Sequence, residues 1–345
     1  MKKKILKNIE RVVIHIGMTK TGSTALQNFL LINNKNLISE KMFFPLTGLH
    51  INMDLRPGRT AGHQSLLINN LKNGNDVVIE ELNNELSKQK EINTILLSAE
   101  NLFHSADEEL IMNIYNTYFG CDIKIIVYVR RQDTWTESIY NEAISGGHAR
   151  ETRKFNRFLK NRIKEGYLNY YNILKKWRDA FGKDKIYLRV YEKSINNGGI
   201  INDYCKIIGI NRNNNYAIPL PTLSNHTYLS KEKIEFLRNI NKLPFEDLNI
   251  PYKLYMDKLV LYIQSKHLRQ KPVWMRKKDR VKLLNKFDEM NNIISKEFYN
   301  SEKLFPSIEE YCPKYHDLNN IISLNHACKA IKLIHDMGIS KEKDE

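Results

Sequence analysis

Cysteine is scarce in this chain. The 345 residues include four, Cys121, Cys205, Cys312 and Cys328, with no Cys-x-x-Cys pair and no Cys/His spacing suited to a metal. That argues against a disulfide framework and a structural zinc site, and reduced structural thiols are expected. No run of 18 apolar residues occurs, so no transmembrane helix is expected. The start, Met1-Lys2-Lys3-Lys4, is basic, but Lys7-Asn8 and Glu10-Arg11 interrupt the apolar residues after it. Without a continuous apolar segment no signal peptide is predicted, and the expected compartment is the cytoplasm, including the inner face of a membrane. Internal repeats and low-complexity blocks are also missing. Negative charge is in short supply: 39 Asp+Glu stand against 54 Lys+Arg, a net +15. Such a field favours anionic partners, among them acidic polysaccharide, anionic lipid, a charged nucleotide and nucleic acid. No RNA- or DNA-binding motif and no aromatic platform accompany the charge, so nucleic acid is not expected as a partner.

A hydrophobic content of 42% supports a packed core, and 27% charged residues is ordinary. Apolar runs with strand character alternate with helical periodicity through the first two-thirds of the chain. Strands are predicted at 11–16, 41–45, 93–98, 121–129 and 185–190. Helices are predicted at 25–30, 62–73, 77–88, 107–118, 131–145, 152–165 and 168–181, with Ser105 or Asp107 capping the fourth. This alternation predicts an α/β fold with a parallel sheet and helices on both faces. An Asn/Pro-rich linker at 211–221 precedes helices at 230–240, 251–268 and 278–298. The expected organisation is an α/β core over 1–215 and a mostly helical extension over 216–345.

Two constellations carry chemistry. Arg11-Val12-Val13 leads into Ile14-His15-Ile16-Gly17-Met18-Thr19-Lys20-Thr21-Gly22-Ser23-Thr24, and a helix follows. A β-branched strand entering a Gly/Thr/Ser turn before a helix is a phosphate cradle, because small residues turn backbone N–H groups toward an anion and the helix N-terminus adds partial positive charge. The same stretch also fits a plain strand–turn–helix junction with a glycine cap. Gly17 to Gly22 has the spacing of the first half of a Walker A loop, but Ser23 follows Gly22 where that loop has lysine, and the lysine sits earlier, at Lys20. The second constellation is the buried strand 121–129, ending at Arg130-Arg131 and followed by a helix that carries Ser138. An arginine at the carboxyl end of a parallel strand projects into the crevice where α/β sheets bind ligands, and its planar fork matches phosphate oxygens.

Lys20-Thr21-Gly22-Ser23-Thr24 resembles the 5′-phosphosulfate loop of sulfotransferases that use 3′-phosphoadenosine 5′-phosphosulfate (PAPS). Arg130 to Ser138 and Tyr140 resembles their 3′-phosphate motif, although the proline-containing turn common after that arginine is replaced by Arg131-Gln132-Asp133. The likeness is to bacterial members thought to act on carbohydrates, and it covers residues 11–192. It implies a P-loop-type three-layer fold, PAPS as donor with PAP as product, and no required metal. The implied acceptor is a hydroxyl-bearing glycan or glycolipid, of anionic character given the charge. Lys20, Thr21, Gly22, Ser23, Thr24, Arg130 and Ser138 are the implied donor-binding residues. Tyr191, in a Tyr191-Glu192 pair at the end of the last strand, is implied to pack on adenine, although a rim aromatic is an equal reading. Asn225-His226-Thr227 is a thin match to a segment that closes over the donor.

Glu100 follows the strand at 93–98 and emerges at the same edge as Lys20 and Arg130. The resemblance assigns it the proton of the acceptor hydroxyl, against a structural reading as a cap or ion pair. His63, in the polar turn Thr60-Ala61-Gly62-His63-Gln64, competes as base or acceptor ligand. His104 is a weaker competitor, and His15, inside the first strand, reads as a hydrogen-bonded core residue. Two basic tracts, 150–164 and 266–280, read as solvated faces or as attraction for an anionic glycan or lipid, with peripheral membrane association as a consequence. Two other functions share these features: a P-loop nucleotide-dependent phosphotransferase, and a non-catalytic protein that binds anionic glycan or lipid.

Overall fold

The computed structural model describes residues 8–52, 59–63, 77–89, 91–146, 148–196, 198–211, 216–218, 229–246, 250–263, 272–300, 303–315, 327 and 330–333. In chain order the first elements are β1 (Arg11–Gly17), α1 (Ser23–Ile32), α2 (Asn34–Ser39), β2 (Met42–Phe43), β3 (His50–Asn52), β4 (Arg59–Gly62), α3 (Val77–Ser87), β5 (Thr94–Glu100), α4 (Leu102–Ser105), α5 (Glu108–Thr117) and β6 (Asp122–Val129). They continue with α6 (Gln132–Ser145), α7 (Phe155–Lys164), α8 (Tyr170–Phe181), β7 (Ile186–Val190), α9 (Tyr191–Asn196), α10 (Gly199–Ile208), α11 (Lys231–Ile240), α12 (Tyr252–Ile263), α13 (Lys277–Asn285) and α14 (Asp288–Ile294). The chain forms two compact units. One comprises 1–131, 167–220 and 285–306, the other 132–166, 221–284 and 307–345, so no single cut in the sequence separates them.

The first unit is an α/β layer structure around five parallel strands in the order β2-β5-β1-β6-β7. Its near-continuous apolar runs explain the arrangement, since a parallel sheet is covered on both faces. Val13, Leu96, Ile126 and Tyr128 face Leu26, Phe29 and Leu30 of α1 and Tyr204, Cys205 and Ile208 of α10 in one core cluster. Val12, Ile14, Ile95, Leu97, Ile125 and Val127, on the alternate positions, are equally without exposed surface. β1 is central and pairs with both β5 and β6. All five strands point the same way, so the segments after Gly17, Glu100, Val129 and Val190 emerge at one edge.

The structure refines several expectations. β5 runs to Glu100 because it stays in register with β1 to the pair Gly17–Glu100. The helix expected from 62 does not begin there: Gly62 ends β4, and residues 64–76 lie outside the described residues. β3 and β4 form an antiparallel hairpin that joins β5 through Gly62–Ala99. Asp107 is the cap of α5, accepting from the Leu110 N–H at 2.9 Å. The helix expected over 278–298 is interrupted at Lys286–Phe287 and closes with a π-helical turn at Ser295–Tyr299. Residues 264–271 and 225–227 lie outside the described residues.

In the second unit the described elements are helices. Arg280, from the second basic tract, has no exposed surface there. Its guanidinium donates to Asp133 Oδ2 at 2.7 Å and to Glu137 at 2.6 and 2.7 Å. Glu137 also accepts from the backbone N–H groups of Trp274 and Met275, at 2.6 and 2.8 Å. This cation is an internal tie between α6 and α13, not part of a solvated face.

Candidate anion-binding site

The cradle begins where β1 ends. Lys20 and Gly22 both have left-handed backbone, with φ of +65° and +89°. Two such residues around Thr21 fold the loop into a concavity of successive N–H groups. A Cβ at Gly22 would lie 3.2 Å from Ile200 and 3.6 Å from the Tyr191 ring, in a conformation that favours glycine. The Thr21 hydroxyl is spent inside the loop, donating to the Met18 carbonyl at 2.6 Å. α1 then starts with Gly22 as its N-cap, with no side-chain capping bond and no acidic residue in its first turn. Its N-terminal N–H groups and partial positive charge are available to an external anion. Ser23 is only 2% exposed, and its hydroxyl has no hydrogen-bond partner among the described residues. A Cβ at Gly17 would come within 2.9 Å of the Ala99 carbonyl and 3.0 Å of Ser23 Oγ. Glycine at 17 therefore lets this buried hydroxyl sit against the end of β5.

Arg130 meets the cradle directly. Its guanidinium donates to the Lys20 carbonyl at 3.1 Å, although the two residues are 110 positions apart. The same group lies 5.4 Å from the centroid of the Tyr191 ring, and its Nε is 3.9 Å from Glu192 Oε1. Glu192 also accepts from the Arg131 N–H at 3.1 Å, and the Tyr170 hydroxyl donates to the Arg130 carbonyl at 2.9 Å. Arg130 is thus oriented by loop, ring and carboxylate together, as a preorganised anion ligand requires. Tyr170 and the orienting part of Glu192 escaped the sequence reading. Glu192 had a local signal in its neighbour Tyr191. Tyr170 had none, because only packing brings α8 beneath this turn.

Glu100 closes β5 opposite Gly17, half-buried, and Asn101 follows with a φ of +69°. Two residues earlier, the Ser98 hydroxyl lies 2.8 Å from His15 Nδ1 and 3.0 Å from Gln27 Nε2. His15 is the hydrogen-bonded core residue that was expected, and burial pushes it down to about 3. His104 stacks on Tyr167 and lies 3.2 Å from the Tyr167 carbonyl.

His63 is fully buried, and both ring nitrogens are engaged by backbone. Nε2 donates to the Pro45 carbonyl at 2.8 Å, and Nδ1 accepts the Ser98 N–H at 3.1 Å. This geometry argues against the base role weighed for it, since neither nitrogen is left for an acceptor. Its position makes it a staple that ties the hairpin end and β5 together. Burial pushes His63 down to about 4, against the raising effect of its backbone hydrogen bonds. The unfolded chain therefore binds a proton near pH 6.5 that the folded chain refuses until about pH 4. Stability should be independent of this group above pH 6.5 and fall as pH drops toward 4. At about 1.4 kcal/mol for each pH unit the full loss is roughly 3 kcal/mol, and His15 adds in the same direction. Chemical denaturation across this window should show a shallower slope in His63→Gln than in the parent. Equal slopes would assign the loss to other groups.

Ser138 is half-buried on α6, in the second unit. Three of the seven cations of the first basic tract are paired with carboxylates. Arg150 bonds Glu246, Arg153 bonds Glu151, and Arg162 bonds Glu165. No helix of the described residues is long and apolar enough to cross a membrane, and no cluster of metal-ligating side chains occurs among them.

No family model matches the chain. An uncharacterized protein of Archaeoglobus fulgidus is 30% identical over 206 residues, which is 57% of this chain and 52% of that protein. The chain thus matches about half the length of this curated relative. Among solved structures, a sulfotransferase from Alicyclobacillus acidocaldarius is similar over 58% of this chain and 81% of its own, at 14% identity and a TM-score of 0.38. Mouse sulfotransferase SULT7A1 complexed with PAP is similar over 87% and 88% of the two chains, at 13% identity and a TM-score of 0.36. The sulfotransferase domain from the Curacin biosynthetic pathway is similar over 83% and 99%, at 10% identity and a TM-score of 0.39.

Proposed function

We propose that this chain is a sulfotransferase that moves a sulfuryl group from PAPS to a hydroxyl of a saccharide or glycolipid. One observation carries the reading: an uncapped helix N-terminus with a buried, unpartnered Ser23 hydroxyl shares a sheet edge with Arg130, which itself contacts the loop at Lys20. Two anion ligands so placed suit a nucleotide with two separate phosphates. The N–H groups of Thr21 to Thr24 and the Ser23 hydroxyl hold the 5′-phosphate. Arg130 holds the 3′-phosphate, and Tyr191 offers a ring face to the adenine. Lys20 neutralises the bridging oxygen as negative charge builds there, an interaction that strengthens in the transition state. Glu100 accepts the acceptor's proton as its oxygen bonds to sulfur and the sulfur–oxygen bond to the phosphate breaks. PAP and a sulfate ester leave.

The test is calorimetry with PAP, adenosine 5′-phosphate and ATP with Mg²⁺. PAP should bind more tightly than adenosine 5′-phosphate by about 1.5–3 kcal/mol, the usual worth of a charge-assisted contact. Equal affinities would remove the 3′-phosphate site. Tighter binding of ATP with Mg²⁺ would move the reading to phosphoryl transfer, and binding of neither would leave an anion-binding protein without this chemistry.

A further inference from the structure

The second unit carries a charged face that the transfer chemistry does not use. α7 buries Phe155 and Phe158 on one side. Arg157, Lys160 and Lys164 recur at intervals of three and four residues along one face, and Lys154 stands at the cap position just before Phe155. All four are exposed, and no carboxylate pairs with any of them among the described residues. The acids at the two ends of the helix are already committed, Glu151 to Arg153 and Glu165 to Arg162. At 1.5 Å of rise per residue the four cations form a file about 15 Å long.

We infer that this face of α7 is a docking surface for an acidic polysaccharide. A linear polymer with anions in single file matches a single file of cations. The exposed Asn156 and the half-buried Asn161 lie to either side of Arg157, Lys160 and Lys164, and their amides donate and accept as sugar hydroxyls require. A helix that binds a bilayer presents apolar side chains to it, whereas the phenylalanines here point inward. Single-stranded nucleic acid calls for stacking aromatics, and this face has none. Identifying the polymer as the acceptor rests on the sulfotransferase reading. The docking surface itself does not.

The experiment uses the full chain and a fluorescent oligogalacturonate, with neutral dextran, phosphatidylglycerol-containing vesicles and duplex DNA in parallel. In one variant Lys154, Arg157, Lys160 and Lys164 are replaced by alanine. A control variant carries Lys35→Ala, Lys88→Ala, Lys183→Ala and Lys206→Ala, exposed cations of the first unit. The stripe variant should lose roughly tenfold or more in affinity for the oligogalacturonate, with a log–log salt slope lower by about three. The control should stay within about twofold of the parent, as expected when no contact is lost. Melting curves confirm that both variants fold. Equal losses in the two variants, or no loss in the stripe variant, would overturn the proposal. So would tighter binding of DNA or vesicles than of the oligogalacturonate through the same four residues. PAP affinity is measured in each variant: an absence of PAP binding with intact polymer binding would sink the transfer reading and leave the docking surface standing.

Discussion

On the proposed sulfotransferase reading, with Glu100 as base, Glu100→Gln is expected to slow sulfuryl transfer by roughly 10²- to 10⁴-fold, the usual range for removal of a general base. The substitution keeps the shape of the side chain and removes the proton acceptor. Glu100 occupies the last position of β5, in register with Gly17 at the mouth of the cradle. Strand pairing places Glu100 at the edge that carries the cradle, and the base role is the one proposed for it. A carboxylate is a weak base in the ground state, but the acceptor oxygen becomes far more acidic as its bond to sulfur forms, so proton transfer becomes favourable late. PAP affinity and melting temperature should change little. Single-turnover sulfation, PAP titration and a melting curve separate the cases. A normal rate would remove Glu100 from the chemistry. A large fall in melting temperature would make it a structural residue.

Glu137→Ala should destabilise the second unit by about 3–5 kcal/mol, the usual cost of breaking a buried ion pair from one side. Arg280 has no exposed surface, and Glu137 supplies two of its hydrogen bonds. The same carboxylate accepts the N–H groups of Trp274 and Met275, so its loss also strands two backbone donors. The environment is demanding. Burial holds the Glu137 pKa above the usual carboxylate value, against the lowering effect of Arg280 and the backbone N–H groups. Arg280→Lys should be damaging too, because an ammonium cannot reproduce a planar fork that serves Asp133 and Glu137 at once. Urea unfolding followed by tryptophan fluorescence reads Trp135 and Trp274 of this unit together with Trp177 of the first, and Trp177→Phe as the background isolates the second unit. A change below about 1 kcal/mol in Glu137→Ala would show that the site relaxes or admits water, as exposed pairs do.

Local signals in the chain were sufficient for the five parallel strands and the turn after β1, but not for the antiparallel β3 and β4. The apolar runs of β1, β5 and β6 announce strands covered on both faces, since unpaired backbone in such a run has no alternative partner. Gly17 and Gly22 announce a tight loop, because the backbone there needs left-handed angles or room for a close approach, whereas the left-handed Lys20 has no such signal in its residue type. These features depend on neighbours a few positions away. Tertiary structure alone decided which cations bind outward and which are locked inside. Lys160 and Arg280 read alike in sequence, yet one is exposed on α7 and the other is enclosed by two carboxylates more than a hundred residues away. It also placed the Lys20 carbonyl on Arg130 and turned His63 from a polar turn residue into a buried staple between Pro45 and Ser98. Charge type and turn chemistry are local properties, whereas burial and hydrogen-bond pairing depend on register and packing between distant segments.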